Sequence, residues 1–144
     1  MKSSKATDLG LLLLRAFLFA ILIYYGMQKM FGAFGGHGIS ATLKAFEEQN
    51  HFPQWLTFLA IISEFCGSIA VLVGLLTRLA AFGIACTMAT AAYENYARMG
   101  SYKDAHLPLA LCGIAVCLIF TGAGSFSLEA FFMRGRKKGF SKGS

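Results

Sequence analysis

The chain has 144 residues, the size of one compact unit rather than several. It is 56% hydrophobic and only 14% charged, where a soluble domain carries roughly 25% charged residues, and its mean hydropathy is +0.60. A formal charge of +6 would suit nucleic acid, but the cations cluster beside apolar runs. That excludes a nucleic-acid-binding domain and points to an anionic lipid surface.

The apolar residues come in runs long enough to cross a bilayer, which takes about 20 helical residues. The first predicted span covers about 9–31. Lys2 and Lys5 precede it as they would a signal peptide, yet the run is too long for one and no small-x-small cleavage site closes it. It reads as a retained helix. A short interfacial helix is expected over about 40–49, where Ile39, Leu43 and Phe46 alternate with Lys44, Glu47 and Glu48. The second span, about 55–76, opens after Pro53, a residue tolerated at a helix start. The third covers about 79–96, and the few residues between Gly74 and Leu79 make an antiparallel hairpin of the two. The fourth covers about 106–121 with Pro108 in its first turn. A basic amphipathic tail follows over 127–144, with Ser127 as its cap, Leu128, Phe131 and Phe132 on its apolar side, and Arg134, Arg136, Lys137 and Lys138 to bind anionic lipid. For both surface helices an irregular loop is the alternative. The whole of 1–144 is one integral membrane domain, an all-α membrane protein built as a four-transmembrane-helix antiparallel bundle. Eight basic residues on the side of the termini against four on the other place both termini in the cytoplasm, in the inner membrane of a bacterium.

Four ionisable residues fall within the apolar runs: Arg15, Lys29, Glu64 and Glu94. Such a group costs a few kcal/mol in hydrocarbon, so it faces the interior and is paired. Depths at about 1.5 Å per residue predict two pairs, Arg15 with Glu64 and Lys29 with Glu94. Arg15, Leu22 and Lys29 recur seven apart with Gly26 beside them, Glu64, Gly67, Ser68 and Val71 share a face, and Gly83, Thr87, Thr90 and Glu94 share another. His106, Ala110, Gly113 and Cys117 form a fourth stripe of small and polar residues. Either these stripes simply hold the bundle together, or they line a polar cavity whose candidates are Tyr25, Gly26, Gly67, Thr87, Thr90, Tyr93 and His106.

Cys66, Cys86, Cys112 and Cys117 lie inside spans without a C-x-x-C pair and read as small hydrophobes. His37, His51 and His106 lack ligand spacing, so no metal site is expected. Gly32, Gly35, Gly36 and Gly38 form a glycine-rich loop with no Gly-Lys-Ser/Thr after it, which suits a sharp turn rather than a phosphate cradle.

Several short motifs in a fixed order carry a resemblance. They are Leu-Leu-Leu-Arg at 12–15, Tyr-Gly-Met-Gln-Lys-Met-Phe at 25–31, Phe-Gly-Gly-His-Gly at 34–38 and Ser-Glu-Phe-Cys-Gly-Ser at 63–68. Val-Gly-Leu-Leu-Thr-Arg at 73–78, Leu-Pro-Leu-Ala at 107–110 and Thr-Gly-Ala-Gly-Ser-Phe-Ser-Leu-Glu at 121–129 complete the set. Over about Leu9 to Phe132 the chain resembles the DoxX family of small bacterial and archaeal membrane proteins. The resemblance implies the four-helix fold and carries over Arg15, Gly26, Lys29, Glu64, Gly67 and Arg78 as family positions. It also implies a respiratory or redox setting: some members resemble a small thiosulfate:quinone oxidoreductase subunit, others join oxidative-stress complexes, and distant relatives are cargo receptors or assembly factors. Two departures stand out. Members often have His near the end of the third helix, where this chain has Tyr93-Glu94-Asn95-Tyr96, and an acidic residue before Pro-Leu, where it has Ala105-His106-Leu107.

Two functions follow. One is a quinone-linked or redox-complex membrane subunit, with no cofactor bound by a recognisable motif, quinone as the ligand and a soluble or membrane redox partner supplying electrons. The other is a small-molecule carrier, channel or assembly scaffold without redox activity. The residues leave open whether the chain is an enzyme and whether it forms a homo-oligomer.

Overall fold

The computed structural model describes residues 4–100 and 102–140, leaving aside the side chains of residues 50, 99 and 138–140. No strand occurs among the described residues. The elements are α1 (Lys5–Phe31), a 3-10 turn (Ala33–Gly35), α2 (Gly38–Asn50), α3 (Gln54–Val73), α4 (Thr77–Met99), α5 (Tyr102–Thr121) and α6 (Leu128–Phe140). Three helices, α1, α3 and α5, are long and apolar enough to cross a membrane. The fourth long helix, α4, has the length but carries more polar residues, among them Thr87, Thr90, Glu94, Asn95 and Arg98.

Local chemistry explains the boundaries. Ser4 accepts the Thr7 backbone N–H at 3.2 Å, so α1 starts four residues ahead of its apolar run. Gly74 takes the left-handed conformation at φ 79° and ends α3 at Val73, three residues before the expected end. A Cβ at Gly74 would overlap Ser127 and Arg15, so this position demands glycine on two counts. α5 starts at Tyr102, because α4 runs on to Met99 and closes on Gly100 at φ 60°.

The long helices run up and down. α3 packs on α1, α4 on α3, and α5 on α4. Leu18 and Leu22 of α1, Val71 of α3, Ala81, Ile84 and Met88 of α4, and Leu111, Ala115 and Leu118 of α5 form the core. Gly26 lets α1 approach α3 so closely that a Cβ would sit 3.3 Å from Phe65 Cα, and Gly67 gives α3 similar access to Ile84 of α4.

The stripe His106, Ala110, Gly113 and Cys117 faces outward, contrary to expectation. α5 buries Ala105, Leu111, Ala115 and Leu118 instead. Small residues mark a face that can pack closely, but the flat Ala–Leu face of α5 already fits α4, and a Cβ at Gly113 would meet nothing.

Candidate functional site

Arg15 is 1% exposed, at the end of the bundle where the N-terminus of α1, the α3–α4 turn and the α5–α6 loop meet. Its Nε donates to Val71 O at 2.7 Å and its Nη2 to Leu72 O. Its Nη1 donates to Ala123 O at 2.8 Å and Phe126 O at 2.7 Å. The expected Arg15–Glu64 pair is therefore replaced by a guanidinium caged in carbonyls. The last carbonyls of a helix have no partner within it and carry the negative end of its dipole. A planar fork of five N–H groups fits several of them at once, which an ammonium could not. Asp8 secures the same loop by accepting Ser125 N–H at 3.1 Å, and Glu129 N–H donates to Gly74 O at 3.2 Å. The 121–129 motif is thus the collar that closes on Arg15, and Ser127 caps α6 by accepting Ala130 N–H at 3.1 Å.

Glu64 is also 1% exposed, and its partner is Lys29. Lys29 Nζ reaches Oε1 at 2.8 Å and Oε2 at 2.7 Å. This corrects the expected Lys29–Glu94 pair. Depth alone does not choose among the carboxylates, and α1 and α3 cross in a register that sets position 29 beside position 64. Taking the carboxylate out of water is costly, and the ammonium held at hydrogen-bond distance is what makes its burial tolerable.

The Lys29–Glu64 pair borders a cavity of about 350 Å³ between α3 and α4. Gly83, Thr87, Thr90 and Glu94 all line its α4 wall, and Thr57, Ala60, Ile61 and Ser63 its α3 wall. Phe46 of α2 and Phe52 also border it, and Leu56, Leu59 and Phe82 make its sides apolar. Thr87 and Thr90 give their hydroxyls to Gly83 O at 2.9 Å and Cys86 O at 3.0 Å, so their oxygens offer acceptor lone pairs only. Thr57, 6% exposed, has no hydrogen-bond partner for its hydroxyl. The arrangement supplies a cation, carboxylates and hydroxyls in an apolar pocket of the size that holds small molecules, about 300–1,000 Å³.

Of the candidate residues, the cavity gathers Lys29, Glu64, Thr87, Thr90 and Glu94. Gly26 and Gly67 serve helix contacts instead. Tyr25 lies with Tyr24 along a shallow groove between α1 and α5, Tyr93 is 70% exposed, and His106 is exposed with Nδ1 3.4 Å from Tyr102 O. Thr57, Ser63 and Phe46 escaped sequence reasoning. Thr57 lies seven residues before Glu64 and so on its face, the signal that could have found it. Cys66, Cys86 and Cys117 are exposed rather than buried, and Cys112 donates weakly to Ala85 O at 3.4 Å. Among the described residues no group of His, Cys, Asp or Glu could hold a metal.

α6 exposes Phe131, Phe132 and Met133 together with Arg134, Arg136 and Lys137, while the Lys138 side chain lies outside the described residues.

Comparison with known proteins places these features in a wider set. The DoxX family model matches residues 10–96, more than half of the chain. The chain is also similar to a Bacillus subtilis (strain 168) protein named "Putative oxidoreductase CatD", with 24% identity over 136 residues, covering 94% of this chain and 96% of that protein. No solved structure matches.

Proposed function

The chain belongs to the DoxX family of membrane proteins, and on that premise we propose that it is a quinone-binding membrane subunit of a redox complex in the bacterial inner membrane. In this reading α4 crosses the bilayer with α1, α3 and α5, and both termini face the cytoplasm. The observation that carries it is the cavity bordered by the Lys29–Glu64 pair and Glu94, with aromatic and aliphatic sides. An amphipathic ring needs such a place: flat apolar walls, plus donors for its carbonyl oxygens. The residues fit that ligand in the cavity's apolar walls and in Lys29, which lines the cavity with its side chain 30% exposed. Bound quinone supplies two-electron chemistry; the chain's own residues seat the ring and exclude water. Lys29 would supply the positive charge toward the ligand's oxygens, and Glu94 would place a carboxylate on the same cavity wall. Electrons come from a soluble or membrane partner. The name of the Bacillus subtilis relative is consistent with a redox setting.

On the cytoplasmic side α6 lies on anionic lipid, with Phe131 and Phe132 in the interface and its cations among headgroup phosphates. The outward stripe Ala110, Gly113 and Cys117 suits close packing against a second copy.

Mass spectrometry of gently purified protein tests the reading. Stoichiometric quinone that is lost from Glu64→Gln supports it. Protein carrying phospholipid alone, with flux of small molecules in liposomes, would replace it with a carrier.

A further inference from the structure

Resting on the quinone reading and on α4 crossing the bilayer with its neighbours, we infer that the ligand enters sideways from the hydrocarbon, through an opening between α3 and α4. Its ring occupies the cavity and its prenyl chain stays in the lipid. The ligand class is then a membrane-borne, prenylated quinone rather than a water-soluble one.

The cavity is a half-open cleft, closed by the chain on three sides. At the back stand Ile61 and Glu64 of α3, both buried, with Lys29 reaching in from α1. Toward the termini α3 and α4 come too close to leave space. A Cβ at Gly83 would lie 2.6 Å from Ser63 Oγ, and one at Gly67 would lie 3.4 Å from Ile84 Cγ1. Across the opposite end lie Phe46 of α2 and Phe52 of the α2–α3 connection, both half-buried.

The fourth side is the outer flank of the α3–α4 pair. Its rim is Leu59, 57% exposed, and Phe82, 58% exposed, with the exposed Cys86 one turn beyond Phe82. Leu59 and Phe82 each lie five residues inside the nearer end of their helix. At the helical rise that is about 7 Å, which is hydrocarbon depth for helices of this length. Large apolar side chains on such a rim are costly in water and at home in lipid.

The ligand's own physics agrees. A volume of about 350 Å³ is near the lower end of the range for drug-sized molecules, with room for a ring system but not for a long prenyl chain as well. A chain left in the lipid has the same apolar surroundings free and bound, so its length does not change the binding. Drawing it through water to an aqueous mouth would cost free energy in proportion to its area.

Photoaffinity labelling of the full-length protein in liposomes tests the route. The probe is 2-methyl-1,4-naphthoquinone carrying a short alkyl diazirine in place of the prenyl chain, and peptide mass spectrometry locates the label. Labelling that excess menaquinone-4 competes away should fall on Leu59, Phe82 or Cys86. Menaquinone-1 should compete within about twofold of menaquinone-4 when both are counted per lipid. Leu59→Trp narrows the opening and should weaken competable labelling about tenfold, the size of a steric misfit. Leu79→Trp, at a lipid-facing position outside the cavity lining, should leave it unchanged. Competable label on Phe46 or Phe52 overturns the lateral route and leaves the quinone site standing. So does competition by menadione but not by menaquinone-4, or L59W that labels like wild type. If L59W fails to fold, the label's position in wild type decides. Wild type without competable labelling removes both the inference and the quinone reading.

Discussion

Arg15→Lys separates a guanidinium cage from a simple buried charge. The substitution keeps the cation and removes the fork. Arginine reaches four carbonyls from two directions, Val71 and Leu72 at the end of α3 and Ala123 and Phe126 in the α5–α6 loop. A lysine has one nitrogen and a shorter reach, so it can follow one side only. Two carbonyls then lose a charged donor, each such bond contributing about 1.5–3 kcal/mol. Part of this returns because the loop lies near the surface and can admit water, which leaves a net loss of about 3 kcal/mol. Unfolding in mixed detergent micelles, followed by helical circular dichroism, reads the difference. Hydrogen exchange supplies the local signature: amides at 122–127 should exchange faster while those of the α3–α4 core do not. The double variant with Glu64→Gln should be additive within about 0.5 kcal/mol, because the two sites share no partner. Stability of R15K within about 0.5 kcal/mol of wild type, or strong coupling to E64Q, would refute the cage.

Other outcomes are equally concrete. Glu64→Gln should destabilise by about 2–3 kcal/mol, less than a fully buried pair because Lys29 is partly exposed; exchanging the two charges by Lys29→Glu with Glu64→Lys should recover part of the loss in the same micelle assay. Gly74→Ala should cost about 2–4 kcal/mol, since it combines a left-handed φ with overlap on Ser127 and Arg15; thermal melting checks it. Replacing Arg134, Arg136 and Lys137 with Gln should remove about 1 kcal/mol of preference per cation for phosphatidylglycerol over phosphatidylcholine, measured by native mass spectrometry of the protein with mixed lipids.

How far the site was legible depends on which interactions are local. The α4 stripe Gly83, Thr87, Thr90 and Glu94 is a property of one helix, and all four residues line the cavity. The turn glycines were equally readable: Gly32, Gly35 and Gly38 have positive φ, and Gly36 leaves no space for a Cβ beside the Gln28 carbonyl. The charge partners were not. Lys29 and Glu64 are 35 residues apart, and an error of one turn at either helix end changes which carboxylate lies level with which cation. The carbonyls that hold Arg15 carry no sequence signature at all, since every residue has one.

The amino-acid sequence by itself determined the long helices, the Ser127 cap, the membrane setting and the family, because hydropathy, 3.6-residue periodicity and turn chemistry act over a few residues. Only the tertiary structure decided which groups meet. It set Lys29 against Glu64, wrapped the 121–129 collar around Arg15, turned the small face of α5 outward and left Thr57 unpaired in the cavity wall. Those outcomes depend on helix register and crossing, which the sum of many weak packing contacts selects and no local pattern encodes.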